Sequence, residues 1–399
     1  MTSNQEIIKK SESAFIGTYA RFPVAMAKGS GCKLHDADGK EYLDFLSGIA
    51  VCSLGHCHPK VTEAICDQAR TLVHVSNLFH TIPQTELAAC LIEHSFADQV
   101  FFANSGAEAN EAAIKLARKH SSPGRYEIIS LEGSFHGRTL ATIAATGQPK
   151  FQLGFEPMPD GFKSAPFGDI TALSAMINES TCAIMVEPLQ GESGVRPLGH
   201  QYLRAIRNLC DKHDLLLIFD EVQVGMGRTG SLFAYQQFDV TPDIMSLAKA
   251  LGNGLPLGAI LTTKDIAASF TPGTHASTFG GNPVSCAAGL AVMEVMLEQG
   301  FMSSVLSRGD YLSKTLKSIA QTYPSLATGS RGAGLIQALV LTENGIKHGA
   351  EIVNALFQRG LLANFAGNAV LRFIPPLIVT EAEIDEMRTI LDSVLSTFQ

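Results

Sequence analysis

The sequence predicts an α/β fold, with a mostly parallel central sheet covered by helices on both faces and a smaller α+β domain beside it. Three observations point there. The chain has 399 residues, above the usual size of one domain. From about residue 59 onward, short apolar runs alternate with amphipathic helical patterns, the mark of strands buried on both faces. After about residue 300 helices and strands follow less regularly, which suits a second, smaller unit.

The elements support this in order. Residues 1–60 alternate strand-like pieces with turns, and Asp38-Gly39 within KLHDADGKEYLDF signals a hairpin. PKVTEAICDQARTL and TELAACLIEHSF space apolar residues as helices do. DQVFFAN reads as a short buried strand, and EANEAAIKLARKH as a helix. YEIISLE, CAIMVEP, LLLIFDE and GAILTT are further β-rich runs. Then come the helix GDYLSKTLKSIAQTY, the strand GLIQALVLT, the helix EIVNALFQRG, the strands GLLAN and AVLRFIP, and a last helix EAEIDEMRTILDSVLSTF. No repeat, charge block or loose linker interrupts the chain. The expected division is an N-terminal segment 1–58 that contributes to the small domain, a large domain 59–298, and a C-terminal small domain 299–399.

Composition narrows the function. Hydrophobic residues make up 46% and charged residues 17%, which fits a globular chain with a large core and not a disordered one. A net charge of -8 and a pI of about 5.8 leave no broad basic surface, so nucleic acid is not an expected partner. The start, MTSNQEIIKK, has no apolar core of a signal peptide. No apolar run approaches a membrane span, so a cytoplasmic protein with no membrane partner is expected. The 8 cysteines include no CxxC pair and read as free thiols. GHCHP at 55–59 invites a metal reading, but adjacent side chains rarely converge on one ion. A turn before a helix is favoured there, with Pro59 as the first helical residue, and no metal is expected.

Four constellations carry chemistry. NSGAEAN at 104–110 follows a strand and opens a helix, so Ser105 and Gly106 stand where free N–H groups and the helix dipole favour a phosphate. The plain alternative is an N-cap. In LLLIFDEVQVG, a buried strand ends in Asp220, at the edge where α/β sheets bind ligands. A carboxylate buried there needs a cationic partner, and a protonated pyridine nitrogen would serve. Lys249 stands in SLAKALGNGLPLGAI, an otherwise apolar, small-residue segment, and a lysine of lowered pKa is the usual Schiff-base nucleophile. In HASTFGGNP, Thr278 with Gly280-Gly281 is a second candidate anion contact ahead of a helix. GMGRTG at 225–230 matches a dinucleotide fingerprint but lacks the strand directly before and the helix directly after, so nicotinamide binding is not expected.

Six segments in one order resemble the class III aminotransferases, which have the pyridoxal phosphate fold type I. They are NSGAEAN, FHGRTL, EPLQGESGV, FDEVQVGMGRTG, AKALGNGLPLGA and STFGGNP. The resemblance runs from about residue 15 to the end. It implies pyridoxal 5'-phosphate as cofactor, with Lys249 as its Schiff-base lysine and proton carrier and Asp220 paired with the pyridinium nitrogen. Gln223 would bond the ring oxygen and Phe135 would stack on the ring. Ser105, Gly106 and Ala107 would hold the phosphate, with Thr278 reaching it from the neighbouring subunit of a homodimer. Arg138, helped by Tyr19, would grip the carboxylate of the ω-amine donor. Arg372 would bind the α-carboxylate of glutamate or 2-oxoglutarate, and Glu192 would cover Arg372 while the donor is bound.

Two arginines at different distances, each able to bind a carboxylate bidentately, would let one site present either end of a substrate. GIAVCSLGHCHP, VSNLFHTIPQ and GQPK are similar to the subgroup that acts on N-acetylornithine. That implies N-acetylornithine and 2-oxoglutarate giving N-acetylglutamate 5-semialdehyde and glutamate, in arginine biosynthesis. Succinylornithine, succinyl-diaminopimelate, ornithine or 4-aminobutyrate as donor remain alternatives, as does an aminomutase of the same fold. The chain departs from the family at Ser193, where glycine or alanine is usual, and at Phe279, where tyrosine is. Ile49 replaces the tyrosine of ornithine aminotransferases.

Overall fold

The computed structural model describes residues 3–399. Three short strands come first, β1 (Met26–Ser30), β2 (Lys33–Asp36) and β3 (Glu41–Asp44), paired antiparallel in order. The expected hairpin is present, with Gly39 turning at φ +91° between β2 and β3.

The central sheet has seven strands: β4 (Gln99–Ala103), β5 (Glu127–Leu131), β6 (Phe162–Ala165), β7 (Thr181–Val186), β10 (Leu216–Asp220), β11 (Ile244–Leu247) and β12 (Gly258–Thr262). Between β7 and β10 lies a two-residue pair, β8 (Leu189–Gln190) with β9 (Arg196–Pro197). The sheet order is β4-β12-β11-β10-β7-β5-β6. Every neighbour pair is parallel except the two that involve β12. β7, β11 and β12 are buried along their whole length, as strands between two helical layers must be.

The remaining strands are β13 (Ala327–Ala333), β14 (Ile336–Leu341), β15 (Leu361–Leu362), β16 (Asn364–Ala366) and β17 (Val370–Phe373). β13-β14-β17-β16 form a second, antiparallel sheet, while β15 pairs with β3 and so ties the start of the chain to its end.

The helix Gly106–His120 shows why local sequence suffices for some elements. Ser105 caps its N-terminus, Glu108 lies in the first turn, and Arg118, Lys119 and His120 lie in the last, so charges oppose the dipole at both ends. Ala109, Ala112, Ala113 and Ala117 form much of the buried face, which brings its backbone close to β11 and β12. Pro59 does begin the helix Pro59–Thr71. The reading of the sequence missed β6, β11 and β13. FKSA and IMSL are too short to show a period, and ATGSRGA carries two glycines and little apolar area. No single helix among the described residues is long and apolar enough to cross a membrane.

Candidate active site

Five segments end at one edge of the central sheet. Ser105 follows β4, Phe135 follows β5, Glu187 follows β7, Asp220 closes β10, and Lys249 follows β11. These strands run in one direction, so their C-terminal ends gather there, the usual ligand crevice of an α/β sheet. They line a cavity of about 480 Å³, together with Gly106, Ala107, Arg138, Glu192, Val222 and Gln223.

Asp220 anchors its floor. Oδ2 accepts Nδ2 of Asn110 at 2.7 Å and meets Nδ1 of His136 at 2.8 Å, while Oδ1 accepts the Val222 amide at 3.0 Å. Asn110 also donates to the His136 carbonyl at 2.7 Å, so the carboxylate, the amide and the imidazole form one buried unit. Lys249 begins a 3-10 turn with φ +48°. A side chain in that region stores roughly 1–3 kcal/mol of strain, which surrounding packing must hold. Burial depresses the Lys249 ammonium below the usual lysine range, against the pull of Glu192. A neutral amine is a nucleophile, and an ammonium is not.

Beside them, Glu187 is buried and accepts the Phe135 amide at 2.9 Å. Burial first, then the charge of Asp220, raises its carboxyl well above the usual range.

At one end of the cavity the helix Gly106–His120 presents its first turn. The Ser105 hydroxyl accepts the Glu108 amide at 3.2 Å, so the N-cap reading holds for the side chain. The amides of Gly106 and Ala107 still have no partner within the helix and border the cavity. Gly106 is required by space: a Cβ there would lie 2.7 Å from Cγ1 of Val222.

At the other end Arg372 is completely buried. Its Nη1 donates to Glu192 Oε1 at 2.9 Å, to the Gly191 carbonyl at 2.9 Å and to Gln223 Oε1 at 3.2 Å, and its Nε donates to Asn364 Oδ1 at 3.1 Å. Nη2 is buried with no partner among the described residues. Burial alone would raise Glu192, but the Arg372 guanidinium, Lys249 and a hydrogen bond from Gln223 bring it down to about 2. Gln223 therefore uses its amide on Glu192 and Arg372 in this structure. Arg138 lies exposed at the mouth of the cavity. Its guanidinium sits 4.0 Å from the centre of the Phe151 ring and 5.5 Å from that of Phe135, a cation–π bracket.

Two expected residues lie elsewhere. Tyr19 is exposed outside the cavity lining, with Arg21 over its ring at 5.2 Å. Thr278 is exposed beside β4, next to Asn77 and Gln84. Asn110, His136 and Glu187 were not foreseen, although each stands inside a segment already singled out: NSGAEAN, FHGRTL and EPLQGESGV. The available signal for Asn110 was its place five residues past Ser105 on the same helix, beneath the sheet edge. Elsewhere, GMGRTG forms a tight turn around a buried arginine. Arg228 donates to the Leu335 and Pro375 carbonyls and to Ser53 Oγ. His56 of GHCHP pairs with Asp44 at 2.7 Å.

Comparison with known proteins places these features in context. Residues 17–395 match the family model for aminotransferase class-III. The acetylornithine aminotransferase of Caldanaerobacter subterraneus subsp. tengcongensis is 49% identical over 394 residues, covering 98% of this chain and 99% of the relative. That of Methanocaldococcus jannaschii is 48% identical over 398 residues, covering 99% of each. Among solved structures, the ornithine aminotransferase of Toxoplasma gondii, crystallized in the presence of oxidized glutathione and with partial occupancy of PLP at its active site, superposes with a TM-score of 0.94. Its identity is 31%, over 100% of this chain and 95% of that one.

Proposed function

The chain belongs to the class-III aminotransferases, and we propose that it moves the terminal amino group of N-acetylornithine to 2-oxoglutarate. The products are N-acetylglutamate 5-semialdehyde and glutamate, in arginine biosynthesis. The relatives at 48–49% identity carry the acetylornithine name, while the ornithine enzyme that shares the fold stands at 31%. The observation that carries the reading is the pair of arginines: Arg138 open at the mouth, Arg372 buried and covered by Glu192.

The cofactor is pyridoxal 5'-phosphate, and the residues present fit it. Gly106 leaves space for a phosphate at the helix start, where any side chain would meet Val222. Asp220 is an acceptor-rich carboxylate on the floor, and Lys249 is a half-buried amine with lowered proton affinity. When bound, the cofactor supplies a carbonyl carbon that takes up the amino group and a ring that draws electrons from the neighbouring C–H bond.

The chain's own residues do the rest. Asp220, held by Asn110 and His136, would pair with the ring nitrogen and keep its proton in place. The amides of Gly106 and Ala107 and the hydroxyl of Ser105 would hold the phosphate, and Phe135 would cover one ring face. Lys249 Nζ would take the proton from the substrate carbon that bears nitrogen and deliver it to the carbon on the other side of that nitrogen. Arg138 binds the α-carboxylate of N-acetylornithine, which brings the distal amine to the reacting centre. For 2-oxoglutarate, Glu192 swings off Arg372, and the free Nη2 with Nη1 offers a bidentate grip to a carboxylate. Tyr19 assists Arg138 only if the N-terminal segment moves or a second copy covers it.

The same reading makes the enzyme a homodimer in which Thr278 of a second copy completes the phosphate site. Leu78 and Phe279 are exposed beside Thr278, and exposed apolar surface of that kind is covered in an assembly. The decisive assay mixes N-acetylornithine with 2-oxoglutarate and measures both products. Equal amounts of glutamate and semialdehyde support the reading. Turnover that does not need 2-oxoglutarate overturns it.

A further inference from the structure

The segment that bears Glu192 is held at both ends by one row of the small sheet. Arg331 on β13 stands opposite Ala338 on β14, Ala338 opposite Arg372 on β17, and Arg372 opposite Asn364 on β16. Residues directly opposite in a sheet project from the same face. Arg331 and Arg372 therefore leave one face two strands apart, about 10 Å, with only an alanine between them. Arg372 donates to the carbonyl of Gly191. Arg331 donates both Nε, at 2.9 Å, and Nη2, at 2.7 Å, to the carbonyl of Gly194. Glu192 and Ser193 are the two residues between those carbonyls.

Two further contacts fix the same turn. The loop after β16 lies directly on Ser193, because a Cβ on Gly367 would stand 2.5 Å from its carbonyl group. The Ser193 hydroxyl donates to Gln190 Oε1 at 2.9 Å. Arg331 has no carboxylate within ion-pair distance among the described residues. Its contribution is thus not a salt bridge but the placing of one carbonyl, two residues beyond Glu192.

We propose that Arg331 is a positioning residue for the Glu192 cover, so that opening and closing over Arg372 is a side-chain rotation on a fixed backbone. The inference rests on the reading of Glu192 as that cover. Without Arg331 the turn loses its anchor at the Gly194 carbonyl, and the Glu192–Arg372 contact forms in a smaller fraction of molecules. Arg372 is then available more often to a five-carbon dicarboxylate, and the site loses preference for the ω-amine donor. Ser193 belongs to the same device. Its hydroxyl braces the turn from Gln190, a contact that a glycine or alanine would remove.

The test uses the holoenzyme and four variants: Arg331→Gln, Arg331→Lys, Glu192→Ala and the double variant R331Q/E192A. Two quantities are read. One is the ratio of kcat/KM for glutamate to that for N-acetylornithine, each measured as a half-reaction with a single substrate. The other is the dissociation constant of glutarate, a five-carbon dicarboxylate without an amine, measured by calorimetry. R331Q is expected to shift the ratio toward glutamate by about tenfold and to tighten glutarate binding. R331K, which can still donate one hydrogen bond, should restore part of both, and R331Q should add nothing in the E192A background. If E192A moves both quantities and neither R331Q nor R331K does, the inference fails while the reading of Glu192 stands. If E192A moves neither, the reading itself fails and the inference with it. Should R331Q not fold, R331K alone decides between these results.

Discussion

Arg372 and Glu192 meet at 2.9 Å in a pocket where the arginine is fully buried, yet Nη2 of that arginine has no acceptor among the described residues. A buried guanidinium with an idle donor is normally unfavourable. Here it leaves half of a bidentate site ready for an incoming carboxylate, with Glu192 occupying the other half. Replacing Glu192 by glutamine removes the charge that competes for the site. The half-reaction with glutamate should then gain on that with N-acetylornithine by roughly 10–100-fold in kcat/KM, read by stopped-flow absorbance.

Arg138 faces open solvent, and its bracket of Phe135 and Phe151 keeps it pointed across the mouth. Arg138→Ala should lower kcat/KM for N-acetylornithine by about 10–100-fold, mainly through KM, and change the glutamate half-reaction little. Phe151→Leu, which removes one ring of the bracket, should cost severalfold in the same direction. Steady-state kinetics with each substrate varied alone separate the two.

The cradle at the start of the helix Gly106–His120 admits no side chain. Gly106→Ala puts a methyl group 2.7 Å from Val222, and overpacking of that size is worth about 1–3 kcal/mol. Cofactor affinity should fall by about tenfold or more, measured by fluorescence titration of the apoenzyme, because the crowded atoms border the phosphate site.

His56 gives the stability a pH dependence. Hydrogen bonds to Asp44 and Cys52 raise its pKa from 6.5 to about 10. A raised imidazole binds its proton more tightly in the folded state, so the stabilisation is complete below about pH 6.5 and fades as pH climbs toward 10. The melting temperature should fall across that window. His56→Gln should flatten the slope between pH 7 and 9.5, and equal slopes for the two proteins would contradict the assignment.

Sequence alone carried the central sheet edge well, for a physical reason. Asp220 and Lys249 are polar residues closing or following runs that are otherwise apolar, and such placement is expensive unless a ligand answers it. Ser105 and Gly106 were readable because a strand, a cap and a helix stand in fixed order around them. The support behind these residues was not readable. Asn110 and His136 reach Asp220 from 110 and 84 positions away, and nothing in the chain marks which polar residue a fold will bury beside another. The strands FKSA, IMSL and ATGSRGA failed for the opposite reason: tertiary pairing, not local pattern, makes them strands. Tyr19 came from family resemblance and Thr278 also from its small-residue loop ahead of a helix, and both lie outside the cavity of their own chain.

The most direct measurement is the absorption spectrum of the purified protein with pyridoxal phosphate, recorded as single amines are added without any keto acid. N-acetylornithine should bleach the visible band of the bound cofactor, while ornithine and 4-aminobutyrate leave it nearly unchanged, and Lys249→Ala should show neither the band nor turnover. A protein that takes up no cofactor, or a Lys249→Ala variant that keeps full turnover, would contradict the account.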